Sequence, residues 1–285
     1  MVKKITQFVA IALIFLLGAI GCKLHTMAIT DSPVLEELQQ QGIVDGRHFM
    51  PYRDSLQIQY VTTGTPSAPL LLLIHGSPGS WSDWQHIIAN DTVRQRYFIV
   101  ALTRPGYGFT TVPPQALLEE QAAVVWHLAT QFGYDSAITV VGHSYGGAVA
   151  MQLLAQYPAA FRKGSLVAPT LGAALMAPRW YNKVAAWRPV NQWLSADLRH
   201  SNIEMTGLPA SLRKLENNWQ VVQAPIIYIQ GGQDILVSPK TVDFMRSQYH
   251  GPVRYVVVRK MNHFVPWSDP QLITKALLEP APAAK

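Results

Sequence analysis

The run Gly142-His143-Ser144-Tyr145-Gly146-Gly147 carries the strongest chemical signal in the chain. An apolar, β-like stretch at 138–141 precedes it, and an Ala- and Leu-rich helical stretch at 148–157 follows. Strand, G-x-S-x-G, helix is a turn so sharp that a larger residue at Gly142 or Gly146 would clash. It lifts the Ser144 hydroxyl above the sheet edge and sets a helix N-terminus, with its free N–H groups, behind it. The bland alternative is a glycine-rich turn with a capping serine.

A hydroxyl attacks a carbonyl at neutral pH only when a base takes its proton and a third group orients that base. For an elbow serine the chain order is serine, acid, histidine. Asp234 follows the apolar run 225–230 and the pair Gly231-Gly232. His263 follows the run 253–258 and precedes the last helical segment. Both positions are carboxyl ends of strands, where catalytic groups collect in open α/β sheets. Of nine histidines only His250 and His263 lie beyond Asp234, and His250 precedes the last strand, at the wrong sheet edge. The oxyanion donors expected are the backbone N–H groups of Tyr145, directly after the nucleophile, and Ser77, in the loop after the run 70–74. His75, Gly76, Pro78 and Gly79 shape that loop, with His75 bracing it rather than moving a proton.

These groups need a frame. Apolar runs at 70–74, 97–102, 138–141, 165–168, 225–230 and 253–258 alternate with helical patterns at 119–132, 148–157 and 269–278, and 56–60 alternates like a half-buried strand. Strands apolar throughout and interleaved with helices predict a mainly parallel central sheet covered by helices on both faces. Residues 170–218 break the rhythm and read as a helical cap inserted between two core strands. Its aromatics Trp180, Tyr181, Trp187 and Trp193 are assigned to the wall of a substrate pocket, with packing onto the core and a membrane-facing surface as the other readings. The organisation expected is a leader at 1–21, a tether with a first helix at 22–45, a core at 46–169 and 219–280, and the cap at 170–218.

These motifs together resemble the α/β-hydrolase fold family over about residues 48 to 279. His75-Gly76-Ser77-Pro78-Gly79 is similar to its oxyanion loop HG-x-x-G. Arg104-Pro105-Gly106-Tyr107-Gly108 is similar to its D-x-x-G-x-G turn, with Thr103 where aspartate is common. Family members that open epoxides or displace halide carry aspartate at the elbow, so Ser144 implies acyl chemistry on an ester, thioester, lactone or amide, or carbon–carbon cleavage. The expectation is a serine hydrolase of a carboxylic ester, working without a cofactor or metal on a small, apolar acyl substrate. Acyl transfer and haloperoxidase-like activity on the same triad stay open. So does peptidase activity, although Ser77 replaces a glycine of the similar loop of proline iminopeptidases and no amine-binding carboxylate cluster stands out in the cap. A non-catalytic protein of this fold, tethered to the envelope, is the alternative from another class.

Composition and the N-terminus bear on address. Charged residues are 14% and apolar residues 49%, which suits a folded core and leaves little for disorder. The net charge of +6 is scattered, with no basic run interleaved with aromatics, so no nucleic-acid partner is expected. Lys3 and Lys4 precede an apolar run at 8–20, too short to span a bilayer and suited to a leader peptide. The run closes on Gly21 and Cys22, the one cysteine of the chain. That ending resembles the lipobox of bacterial lipoproteins, with Ala19 where leucine is usual, and implies export and a lipid anchor on Cys22. Lys23 after it leans toward an outer membrane, facing the periplasm, if the cell is Gram-negative.

Overall fold

Strands that are apolar at every position are stable only where both sheet faces are covered, and the sheet meets that condition. The computed structural model describes residues 30–133 and 138–280; Cys22 and the leader expected around it lie outside the described residues. Eight strands form one sheet: β1 (His48–Tyr52), β2 (Leu56–Gly64), β3 (Leu70–Ile74), β4 (Phe98–Leu102), β5 (Ile138–His143), β6 (Phe161–Val167), β7 (Ile226–Gly231) and β8 (Val253–Val258). Their order is β1-β2-β4-β3-β5-β6-β7-β8. The β1–β2 and β2–β4 pairs are antiparallel and every later pair is parallel.

The period of two along a strand divides β3 between two cores. Leu70, Leu72 and Ile74 join the cluster of Val125, Val149 and Leu153. Leu71 and Leu73 join Trp81, Trp84, Ile273 and Leu277 on the other face. The α-helices are α1 (Ser32–Gln40), α2 (Gln85–Ile88), α3 (Asp91–Arg96), α4 (Leu118–Thr130), α5 (Tyr145–Gln156), α6 (Trp180–Ala186), α7 (Arg188–Asn191), α8 (Ala196–Asn218), α9 (Lys240–Gln248), α10 (Val265–Ser268) and α11 (Pro270–Leu278); α4 and α5 supply the helical partners on the first face and α11 those on the second. The leading helix α1 is held by Asp31 before it, which pairs with Arg47 at 2.6 Å and accepts from Gln59 on β2 at 2.5 Å.

Two of the strands, β1 and β6, depart from the sequence reading. β1 escapes the pattern because Pro51 lies in it; at the sheet edge a missing N–H is harmless. β6 starts four residues earlier than expected because Lys163 and Gly164 interrupt its apolar run. Lys163 is nonetheless buried, its ammonium donating to the carbonyls of Leu277 and Glu279 at 3.1 and 2.8 Å.

Between β6 and β7 lie the helices α6, α7 and α8, the helical insertion expected at 170–218. One contact bolts it down. Glu204 on α8 and Arg104 after β4 are both fully buried and pair at 2.5 and 3.2 Å. Tyr107 and Gln121 donate to the same carboxylate at 2.8 Å each. Every oxygen of the buried carboxylate thus has partners, which offsets its desolvation. Glu204→Ala strands the guanidinium without its counter-charge and is expected to cost about 3–5 kcal/mol, read as a lower midpoint of urea unfolding.

Candidate active site

β5 delivers Ser144 to the site. The residue adopts φ 54° and ψ −119°, a left-handed conformation that costs a non-glycine residue energy and persists only where its surroundings enforce it. They do so on three sides. The N–H of Ser144 donates to Val167 at 2.9 Å, while its carbonyl accepts from Gly147 and Thr170 at 2.9 and 3.0 Å. A Cβ on Gly142 would overlap the carbonyl of Gly146, and one on Gly146 would overlap the carbonyls of Ile74 and His75. β3, β5 and α5 therefore approach as closely as they do only with glycine at both places. α5 begins at Tyr145, so the N–H groups of its first turn have no intrahelical acceptor and its positive end lies behind the serine.

The loops after β7 and β8 bring up Asp234 and His263. His263 Nδ1 donates to Asp234 Oδ2 at 2.7 Å. Gln230 Nε2 donates to the same oxygen at 3.0 Å, and the N–H groups of Leu236 and Val237 reach Oδ1 at 2.9 and 2.8 Å. Four donors hold the carboxylate in place, and the Nδ1–H tautomer leaves Nε2 of His263 as an acceptor. Ser144 and His263 line one cavity of about 480 Å³ without a hydrogen bond between them. Such bonds are often long in unliganded sites and tighten when substrate is bound.

Ser77 borders the same cavity with Gly76 and Pro78. Its N–H donates to no group among the described residues, and its hydroxyl reaches Tyr107 at 3.2 Å and Ser201 of α8 at 2.9 Å. Tyr145 does not line the cavity, and its ring packs against the Arg104 guanidinium at 4.8 Å. His75 is fully buried and both ring nitrogens are committed: Nδ1 donates to Gly76 at 2.8 Å, and Nε2 accepts from Arg104 N–H at 2.8 Å. Burial, then the nearby Arg104 charge, holds it well below the usual imidazole range, so it braces the loop as a neutral ring. Arg104 adds donations to the carbonyls of His75 at 3.0 Å and Gly76 at 2.6 Å.

Of the four cap aromatics assigned to the pocket, the structure brings only Tyr181 there. Trp180, Trp187 and Trp193 are 75%, 63% and 55% exposed and line no part of it. The correction follows from helix phasing. α6 turns Asn182 inward, toward Asn202 of α8 at 2.9 Å, which leaves the neighbouring indole outside. The apolar wall is built instead from Leu175, Met176, Val237, Phe264 and Trp267.

Sequence reasoning also passed over His143 and Asp83. His143 Nε2 donates to the backbone carbonyl of His263 at 2.9 Å, with the two rings 4.8 Å apart, so it fixes the loop that carries His263. Burial, then the His263 charge, lowers its pKa to about 3, and its Nδ1 is buried without a partner. The x before the elbow serine was the signal. Asp83, in the turn Trp81–Trp84, lines the cavity beside Gly79 and His75. Nothing in its sequence neighbourhood marks it.

A larger surface depression of about 700 Å³ lies around Ile43, Thr63 and Arg94, and neither serine nor histidine borders it. Among the described residues no group of three or more His, Cys, Asp or Glu is placed to hold a metal ion, and no helix is long and apolar enough to cross a membrane.

Comparison with known proteins places these features in context. The family described as "Alpha/beta hydrolase family" matches residues 71–276. Epoxide hydrolase 1 of Caenorhabditis elegans is 34% identical over 106 residues, 36% of this chain and 26% of that protein. Epoxide hydrolase 4 of Mus musculus is 31% identical over 118 residues, 40% of this chain and 32% of its own length. The matches thus span about a quarter to a third of these curated relatives. A putative lipase from Acinetobacter baumannii AYE superposes with a TM-score of 0.66 at 16% identity, over 88% of this chain and 95% of that one, a likeness of fold.

Asp83 makes the site pH-sensitive in a way that can be measured. Burial pushes its carboxyl up to about 7, against a backbone hydrogen bond at Ser80 and the Arg104 charge. Between the unfolded value of 3.8 and about 7 the folded chain holds a proton that the unfolded chain has lost. Raising pH through that window therefore removes folded-state stability. Asp83→Asn lacks the penalty. Its stability relative to wild type is expected to rise from pH 4 to pH 8 by about 1 kcal/mol or more, roughly 2–4 °C in Tm, measured by paired thermal melts at each pH.

Proposed function

Because the chain belongs to the alpha/beta hydrolase family, we propose that it is a serine hydrolase that cleaves a carboxylic ester or related acyl bond through an acyl-enzyme. The observation that carries the reading is the 2.7 Å His263–Asp234 hydrogen bond at a cavity whose wall holds the strained Ser144. His263 Nε2 takes the proton of Ser144 as the hydroxyl oxygen attacks the carbonyl carbon. Asp234 keeps the imidazole in the Nδ1–H tautomer and stabilises the cation that forms. The N–H groups of Ser77 and Tyr145 receive the oxyanion, assisted by the positive end of α5. His263 returns its proton to the leaving alcohol, and the acyl group stays on Ser144. Water, deprotonated by His263, then releases the acid and restores the serine. A cavity wall of Leu175, Met176, Phe264 and Trp267 suits an apolar acyl or alcohol portion.

Two curated relatives are named as epoxide hydrolases, and the nucleophile decides against that chemistry here. A carboxylate that opens an epoxide leaves an ester, which water can cleave at its carbonyl. A serine would leave an ether, with no carbonyl to attack and no route back to free enzyme. Acyl transfer uses the same residues and differs in which acceptor outcompetes water.

The reading extends to address. A leader ending at Gly21 and a lipid on Cys22 hold the chain at a membrane surface outside the cytoplasm. Metabolic labelling with a radioactive fatty acid is expected to mark the wild-type chain and not Cys22→Ser; equal labelling of both overturns the anchor. For the chemistry, a fluorophosphonate probe should label Ser144, and a short p-nitrophenyl ester should be hydrolysed. Ser144→Ala should abolish labelling and lower kcat by about 10⁴-fold or more. A folded wild-type protein that neither labels nor turns over any acyl ester is a binding protein.

A further inference from the structure

Residues 170–196 contain Arg179, Lys183 and Arg188 but no aspartate or glutamate. The same stretch holds the exposed Trp180, Trp187 and Trp193. α6 buries only Asn182 and leaves Tyr181, Lys183 and Val184 in solvent. Among the described residues neither Lys183 nor Arg188 has an ion-pair partner.

This surface runs into the mouth of the cavity. Arg179 donates to the carbonyls of Ile235 and Leu236 at 3.4 and 3.2 Å, joining the start of α6 to the loop that carries Asp234. Ile235 is 82% exposed there, and Leu236 beside it is also exposed. On the other side of the opening Phe264 and Trp267 are exposed, with their rings 6.0 Å apart. Tyr181, Leu236, Phe264 and Trp267 also line the cavity that holds Ser144. The exposed apolar residues thus rim the entrance and continue outward along the cap.

Exposed apolar surface on this scale marks a contact face, and its composition says with what. Indole rings that have one apolar body and one polar edge settle at the boundary of headgroups and acyl chains, and cations beside them meet lipid phosphates. Cores of protein–protein interfaces deplete lysine, whereas here unpaired cations sit among the tryptophans. We propose that the face formed by residues 179–193, with the rim at Ile235, Leu236, Phe264 and Trp267, docks on an anionic phospholipid bilayer, so that the cavity opens toward lipid. Lys183 and Arg188 contact the phosphates, and Trp180, Trp187 and Trp193 lie at headgroup level. A lipid on Cys22 would hold Thr30 within roughly 28 Å of a bilayer, since eight Cα–Cα steps separate the two residues. Docking stands apart from the acyl-hydrolase reading. The further step, that the substrate is an apolar ester drawn from the bilayer, rests on it.

The test places the full chain on vesicles of phosphatidylglycerol and of phosphatidylcholine and follows backbone hydrogen exchange. Residues 179–193 should become protected on phosphatidylglycerol and much less so on phosphatidylcholine. Lys183→Glu with Arg188→Glu should lower the docked-to-free ratio by about 25-fold or more, and Trp187→Ser with Trp193→Ser should lower it without changing any charge. Both double variants should keep wild-type hydrolysis of a soluble p-nitrophenyl ester. Absence of protection on phosphatidylglycerol, or protection unchanged by the charge reversal, overturns the proposal. So does protection without vesicles that grows with protein concentration together with a doubled mass, which assigns the face to a second copy. Failure of wild type on the soluble ester with protection intact removes the hydrolase reading and leaves the docking standing.

Discussion

The turn at Ser144 is the constraint on which the rest depends. A left-handed serine between a buried strand and a buried helix is stable only if its neighbours leave it no other conformation. β3 and α5 supply that condition by approaching through Gly146, so closely that a side chain there would meet the carbonyls of Ile74 and His75. The sheet order follows the same logic. β5 lies between β3, which sends out the Ser77 loop, and β6, whose end accepts the N–H of Ser144. β7 and β8 come next and deliver the acid and the histidine in that order. Each functional group arrives at the carboxyl edge because the parallel strands all point one way.

The second feature is a buried polar network that joins the cap to the His75–Gly79 loop at the cavity. Arg104 holds the carbonyls of His75 and Gly76 while Glu204 neutralises it from α8. Ser77 extends the link through Ser201. A guanidinium with its five donors in a rigid fork can satisfy two backbone carbonyls and both oxygens of a carboxylate at once, more than the three donors of a lysine can. The cap is thus tied to the same loop that borders the cavity.

Above that rigid base the outer cap is of a different character. α8 is long and half buried, whereas α6 and α7 are short and show most of their side chains to solvent. Three indoles on the outer cap, with an isoleucine and a phenylalanine nearer the cavity, leave apolar surface exposed to water. The proposed docking on an anionic bilayer would cover that surface and turn the opening toward lipid.

What the sequence alone determined is what is local. The elbow, the parallel strands and the positions of Asp234 and His263 were legible because each is a strand end followed by a turn. Their order is a property of the chain, and period and glycine placement encode them within a dozen residues. What only the tertiary structure decided is what depends on partners far apart. Arg104 and Glu204 are separated by 100 positions. Asp83 enters the cavity only because the Trp81–Trp84 turn packs under the oxyanion loop, and Lys163 is buried only because the end of α11 presents two carbonyls to it. The cap tryptophans show the limit most directly. A seven-residue helix carries too little periodicity to reveal its inward face, and the Asn182–Asn202 contact, not the aromatic content, decided that Trp180 faces outward.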